Sequence, residues 1–439
     1  MNTCTRLNFL YFINNIVDLY TTSTSTLSSL FLVLFRQKER PPLLKREGSK
    51  NDKTMIPPVL LLLLHLFALV SADSPPRTWE KVLLTEAAEM TGAVCLDGSP
   101  GGYFLSKRDP SKWVVFMEGG GWCGSDANCL SRASTDLGSS KHWKSTYTDT
   151  YEGSAMFASP PFDNYTVVFV KYCDGSSFTG NVAEPIRVGG STNSSSVIYY
   201  RGRRLLDAIL DDLLAAKGLS GASSLLFSGC SAGGLTTYLH ADYVRGRVPR
   251  TCRTLALADA MYSVDSDHWD GTESNMVSVA KWGYQAWNAS SSVNEECVQR
   301  KTVENEEWRC MFGSVVAPFV KTPLFVLNSK YDTWQEKAII GANCSIAQCP
   351  HGGAMQKFWV NYGQEMVRRL SSLPPRHGAF VGNCPAHCQT GSGYLTRTVN
   401  GTLMRDAFVE WYQDRMNGGM KMLRWVDECD VMPCGDDKC

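Results

Sequence analysis

Leu225-Leu-Phe-Ser-Gly229-Cys230-Ser231-Ala232-Gly233-Gly234-Leu-Thr-Thr-Tyr238 is the stretch on which the fold of this chain turns. The apolar run before Gly229 reads as a buried strand. After it, Leu235, Tyr238, Leu239 and Tyr243 fall at i, i+3, i+4 and i+8, the spacing of one helix face. Between the two, Gly229-x-Ser231-x-Gly233 supplies the small residues that a sharp strand-to-helix turn needs. Such a turn holds a serine hydroxyl at the carboxyl edge of a sheet, where it acts as a nucleophile. The helix that follows aims the free N–H groups of its first turn at the same place. A Gly-rich turn whose serine merely caps the helix has the same glycines; the strand in front of it favours the nucleophile.

Working outward, short β-branched or apolar runs recur at 113–117, 167–171, 224–227, 254–257 and 323–327. Stretches with helical spacing lie at 198–216, 233–244 and 355–370. Buried strands alternating with amphipathic helices predict an α/β fold: an α/β-hydrolase-like parallel sheet flanked by helices, with long disulfide-tied insertions at 126–158 and 263–316. The early strand runs into Trp113-Val-Val-Phe-Met-Glu118-Gly119-Gly120-Gly121-Trp122. In acyl transfer the carbonyl oxygen becomes negative and needs backbone N–H donors about 3 Å away, which glycines allow the chain to bring close. Gly120, Gly121 and, across the elbow, Ala232 are the expected donors. A phosphate loop is disfavoured, because neither a Lys-Ser/Thr ending nor the dinucleotide spacing is present.

A serine nucleophile needs an imidazole to take its proton and a carboxylate to orient that imidazole, in the chain order Ser, Asp or Glu, His. Of the later histidines, His240 lies on the helix behind the elbow and His268 comes too early. His351 and His377 read as surface residues. His387, in Asn383-Cys-Pro-Ala-His387-Cys388, stands near the chain end between cysteines that can pin its loop. Asp332 follows the run 323–327 by a short turn; Asp259 is its rival, and Asp174 breaks the order.

The chain has 439 residues, 44% of them apolar, with zero formal net charge. That balance gives no support to nucleic-acid binding or to docking on anionic membranes. Twelve Trp and seventeen Tyr suit a sugar cleft, although such residues first of all fill cores. Sixteen cysteines are scattered among loop residues and fit disulfides better than zinc, for which the pairs Cys344/Cys349, Cys384/Cys388 and Cys429/Cys434 are the weak rival. Five glycosylation sequons, at Asn164, Asn193, Asn288, Asn343 and Asn400, point to the same secretory route. Residues 55–72 read as a signal peptide: the basic residues Lys45, Arg46, Lys50 and Lys53 precede it, its apolar run from Val59 to Val70 is too short to span a bilayer, and it ends in the small exit Val70-Ser71-Ala72. Residues 1–54 read as an extension upstream of the true start, with an uncleaved anchor as the alternative, and 73–439 as a single esterase domain. Cleavage removes Cys4 and leaves fifteen cysteines, an odd number. Cys230, inside the tight turn, is the expected free thiol.

Several motifs in order carry a resemblance over most of the chain: Glu118-Gly-Gly-Gly-Trp-Cys, Lys171-Tyr-Cys-Asp-Gly-Ser-Ser-Phe, Tyr200-Arg-Gly, Gly229-Cys-Ser-Ala-Gly-Gly, Tyr331-Asp-Thr-Trp-Gln and Ala386-His-Cys-Gln. From about Lys81 to Asp414 the chain resembles the plant pectin acetylesterases, a family that includes the animal Wnt deacylase Notum. The resemblance implies a secreted serine esterase with Ser231, Asp332 and His387 as its triad and Gly120, Gly121 and Ala232 as oxyanion donors. It also implies no metal or organic cofactor, and acetylated pectin in the cell wall as substrate. Gly-Gly-Gly-Trp and Gly-Cys-Ser follow the plant branch and favour a short acyl group. The rival expectations are a Notum-like deacylase of a lipidated protein and a catalytically silent wall-binding protein.

Overall fold

Among the described residues, a nine-stranded sheet organises the fold. In the computed structural model, residues 75–428 are described apart from 148–151, 191–196, 347, 350 and 351. The proposed extension and signal peptide, the Asn193 sequon, His351 and Cys429/Cys434 therefore lie outside the described residues.

The strands are β1 (Glu80–Leu83), β2 (Gly102–Ser106), β3 (Asp109–Met117), β4 (Tyr165–Val170), β5 (Ser224–Cys230), β6 (Arg253–Asp259), β7 (Leu324–Ser329), β8 (Gly378–Gly382) and β9 (Arg424–Val426). Their order across the sheet is β1-β2-β4-β3-β5-β6-β7-β8-β9. From β4 to β9 every neighbouring pair is parallel; β2 is antiparallel to both β4 and β1. Strands β4, β5 and β7 are buried at every residue, as a parallel sheet covered on both faces requires. The covering helices include α1 (Gly202–Asp212), α2 (Ala232–Arg247), α3 (Asn275–Ala286), α4 (Ala354–Ser371) and α5 (Met404–Met416). Helix α2 packs on β5 and β6 and carries a nearly continuous buried surface from Ala232 to Ala241.

All five expected strands and all three expected helices are present. Helix α1 begins later than the apolar spacing suggests, because Val197 and Ile198 pair as a short strand with Ile186 and Arg187. Five disulfides join described residues: Cys95–Cys173, Cys123–Cys129, Cys230–Cys388, Cys297–Cys310 and Cys344–Cys349. Cys384 is disulfide-bonded as well. The second and fourth of these tie the two insertions, and the pair Cys344/Cys349 is a disulfide.

The expectation that Cys230 is unpaired is wrong. Cys230 is the last residue of β5, one position before the turn closes, and its Cα lies 5.5 Å from that of Cys388 in the loop after β8. Among the described residues the free thiol is Cys252, buried just ahead of β6. Among the described residues no helix is long and apolar enough to cross a membrane.

Candidate active site

The candidate side chains stand where parallel strands end, since successive carboxyl ends of such a sheet deliver loops to one edge. Ser231 follows β5 directly and adopts φ 56°, ψ −125°, after which α2 starts at Ala232. A non-glycine residue in this region costs about 1–3 kcal/mol, held in place by its surroundings. Here the Ser231 N–H donates to the Asp259 carbonyl at 3.0 Å and the Ser231 carbonyl accepts from Leu235 N–H. The motif's last glycine is dictated by proximity: a Cβ on Gly233 would lie 1.9 Å from the Met117 carbonyl oxygen at the end of β3.

His387, five residues past β8, reaches Ser231 with Nε2 at 2.8 Å from Oγ. Its Nδ1 faces both oxygens of Asp332, at 3.0 and 2.9 Å. Asp332 Oδ1 also accepts from the backbone N–H groups of Trp334 and Gln335, which fixes the carboxylate behind the ring. Side-chain exposure is 1% for Asp332 and 19% for His387, so the pair is dry on one side and open on the other. Burial disfavours a charged ring at His387. The Asp332 carboxylate, with Asp259 and Glu152 beyond it, outweighs this and holds the imidazole above its ordinary value.

The rivals fall away on geometry. Asp259 ends β6 with Oδ2 accepting from the N–H and hydroxyl of Thr390, both at 2.7 Å. Asp174 accepts from Ser176 and Phe178 within its own loop. His240 is buried on α2 against the Ser177 carbonyl, and burial brings its pKa down to about 3. His268 lies against the Ile339 carbonyl. His377 is no surface residue: it is fully buried and its Nδ1 accepts the Leu324 N–H at the start of β7.

The three glycines after β3 divide in role. Gly119 N–H donates to Glu152 Oε2 at 2.9 Å. The N–H groups of Gly120, Gly121 and Ala232 donate to no protein acceptor among the described residues. Gly120 (φ 147°) and Gly121 (φ 69°) hold left-handed conformations that a side chain would strain. Their carbonyls are gripped from behind, Gly120 by Arg132 Nη1 at 2.8 Å and Gly121 by the Tyr172 hydroxyl at 3.0 Å. One hydroxyl ties the two halves of this N–H cluster: Ser177 Oγ accepts from Trp122 Nε1 and donates to the Ala232 carbonyl, each at 2.7 Å. Burial pushes the Glu152 carboxyl up to about 8, helped by Glu118 and Asp259. Glu152, Cys230 and Cys388 have the spacing of a metal site, but the two sulfurs are bonded to each other and are unavailable as thiolates.

Two hollows meet at Ser231 and His387. The inner one, about 170 Å³, opens beside Ser231 and is lined by Trp122, Leu235, Met261, Met276, Val279 and Trp334. The outer one, about 500 Å³, is bounded by Asn275, Thr333, Trp334, Lys337, Ala338 and His387. Trp334 belongs to both and its ring lies stacked near that of His387, with centroids 6.2 Å apart. Ser231, Asp332, His387, Gly120, Gly121 and Ala232 thus come together at one edge, while Arg132, Glu152, Tyr172 and Ser177 escape a reading of the sequence. Tyr172 and Ser177 sit in a quoted motif, yet only contacts reveal what they hold.

A family model described as pectinacetylesterase matches residues 75–439. Pectin acetylesterase 7 of Arabidopsis thaliana is 34% identical over 351 residues, 75% of this chain and 86% of that protein. Pectin acetylesterase 11 of the same plant is 31% identical over 375 residues, 81% of this chain and 91% of that protein. The human palmitoleoyl-protein carboxylesterase NOTUM is 29% identical over 315 residues, 68% of this chain and 59% of that protein.

Proposed function

Because this chain belongs to the pectinacetylesterase family, whose members are carboxylic ester hydrolases, we propose that it removes O-acetyl groups from cell-wall pectin with Ser231 as nucleophile. The observation that carries this reading is the unbroken line from Asp332 through His387 to the Ser231 hydroxyl, with contacts of 2.9 and 2.8 Å.

In the proposed cycle His387 Nε2 takes the Ser231 proton as Oγ attacks the acetyl carbonyl. The oxyanion accepts hydrogen bonds from the N–H groups of Gly120, Gly121 and Ala232, which need no reorganisation because their carbonyls are already held. Collapse expels the sugar oxygen, which receives the proton from His387, and leaves an acetyl-serine ester. Water, deprotonated by the same imidazole, then releases acetate and restores Ser231. Asp332 accepts from His387 Nδ1–H throughout and so keeps that tautomer in place.

The inner hollow supports a short acyl group. Its volume of about 170 Å³ is close to the ~150 Å³ of a cavity that holds benzene, well short of a palmitoleoyl chain. Export into an oxidising compartment is supported by the disulfides and by the exposed sequon residues Asn164, Asn288, Asn343 and Asn400. We accordingly place the protein in the cell wall, delivered by the segment 55–72. The test is acetate release from acetylated pectin by the secreted protein beside Ser231→Ala. Release by the parent alone is expected; release by both sinks the mechanism, and release by neither sinks the substrate.

A further inference from the structure

Beyond the acetyl group itself, the outer hollow bears on which sugar chain presents it. His387 must hand a proton to the departing sugar oxygen, so that oxygen has to sit within hydrogen-bond reach of Nε2. The acyl half faces the apolar inner hollow beside Ser231 and Ala232. The sugar therefore occupies the hollow that His387 itself borders, against the Trp334 ring. Among the described residues, the one charged side chain lining that space apart from His387 is Lys337.

Lys337 is exposed and stands three residues after Trp334, with its N–H donating to the Trp334 carbonyl at 3.2 Å, and this one turn brings both side chains to the same hollow. Among the described residues no carboxylate is ion-paired with it. Its neighbour Glu336 is buried, and burial raises that carboxyl above its ordinary value against the opposing pull of the Lys337 charge. An unpaired ammonium beside an aromatic platform, on the leaving-group side of an esterase centre, suits a sugar that carries an anion.

We propose that Lys337 forms a carboxylate subsite that takes a uronate of the substrate chain, so that the enzyme prefers acetylated pectin with free carboxylates over pectin whose carboxylates are methyl-esterified. This rests on the pectin reading above. Methyl esterification removes the charge but keeps the ring, so Trp334 stacks on either polymer and Lys337 alone distinguishes them. The contact is exposed to solvent, which limits its effect to roughly two- to fivefold in kcat/KM.

The test compares acetate release from acetylated pectins of low and high methyl esterification by the parent, Lys337→Gln and Lys337→Glu. Low ionic strength and about 1 M salt, where the Debye length is ~3 Å, form the two conditions. The parent is expected to favour the low-ester polymer at low salt and lose that preference at high salt. Lys337→Gln is expected to erase the preference and Lys337→Glu to invert it. A preference that persists in Lys337→Glu, or a parent with none at low salt, overturns the subsite. A parent that hydrolyses p-nitrophenyl acetate but neither pectin overturns the pectin assignment itself, and the subsite with it.

Discussion

Replacing Cys230 and Cys388 together by serine opens the one disulfide that joins the residue before Ser231 to the residue after His387. The bond spans a sequence separation of 158 residues. On the chain-entropy account a closed loop of that length stabilises the fold by about 5 kcal/mol at 25 °C, an upper figure because native proteins commonly return 2–5. For a body of about 350 residues the unfolding entropy is roughly 0.7 kcal/mol per kelvin, so Tm is expected to fall by up to about 7 °C. The effect on rate has another origin. With the bond gone, the His387 loop is held to β5 only by hydrogen bonds, and a displacement of ~1 Å at a reacting pair costs about a hundredfold. We expect kcat at 25 °C to drop about ten- to a hundredfold, with the protein still folded. Calorimetry gives Tm, and initial rates on p-nitrophenyl acetate give kcat and KM. A lowered Tm with unchanged kcat refutes the alignment argument; unchanged values of both refute the entropic one too.

Ser177→Ala removes the hydroxyl that couples Trp122 to the Ala232 carbonyl. Losing one oxyanion donor outright costs about 10²–10³ in kcat, and loosening rather than deleting it is expected to cost about tenfold with little change in KM; a pure KM effect counts against this role. Since the Asp332 carboxylate outweighs burial and raises the His387 pKa, the imidazole stays charged to higher pH than usual. Activity needs the neutral ring, so kcat/KM is expected to fall as pH drops through a value above about 6.5, and an acid limb well below that contradicts the assignment. Across p-nitrophenyl esters, acetyl to butyryl groups are expected to turn over and chains of sixteen carbons to fail, given the inner hollow of about 170 Å³; a palmitoyl optimum points instead to a lipidated partner.

The elbow and the glycine loop were legible from sequence because each depends on local chemistry, whereas Asp332 had Asp259 as a rival until the family resemblance was drawn. A strand, a turn that tolerates only small residues and a helix must follow one another, and the strand–turn–helix spacing survives without knowledge of neighbours. Strands β3 to β7 were legible because both of their faces are buried, which writes a continuous apolar run. Strands β8 and β9 were not. Gly378-Ala-Phe-Val-Gly382 is short and bounded by glycines, and Arg424-Trp-Val426 lies at the sheet edge, so neither has a run long enough to stand out.

What required tertiary structure is everything set by approach between distant segments. The pairing of Cys230 with Cys388 instead of a free Cys230 follows from β5 and the loop after β8 ending at the same edge, while Cys252 is buried at the amino end of β6. Sequence spacing is silent on that, as a sulfur's partner is fixed by where its Cβ points. The burial of His377 depends likewise on β7 starting beside it. The same holds for Ser177, Arg132, Tyr172 and Glu152, ordinary residues in composition whose contacts grip the backbone of Gly119, Gly120, Gly121 and Ala232. By itself the amino-acid sequence determined which reactive groups exist and in what order; their spacing to within a hydrogen bond came only from packing, because those distances are summed over segments far apart in the chain.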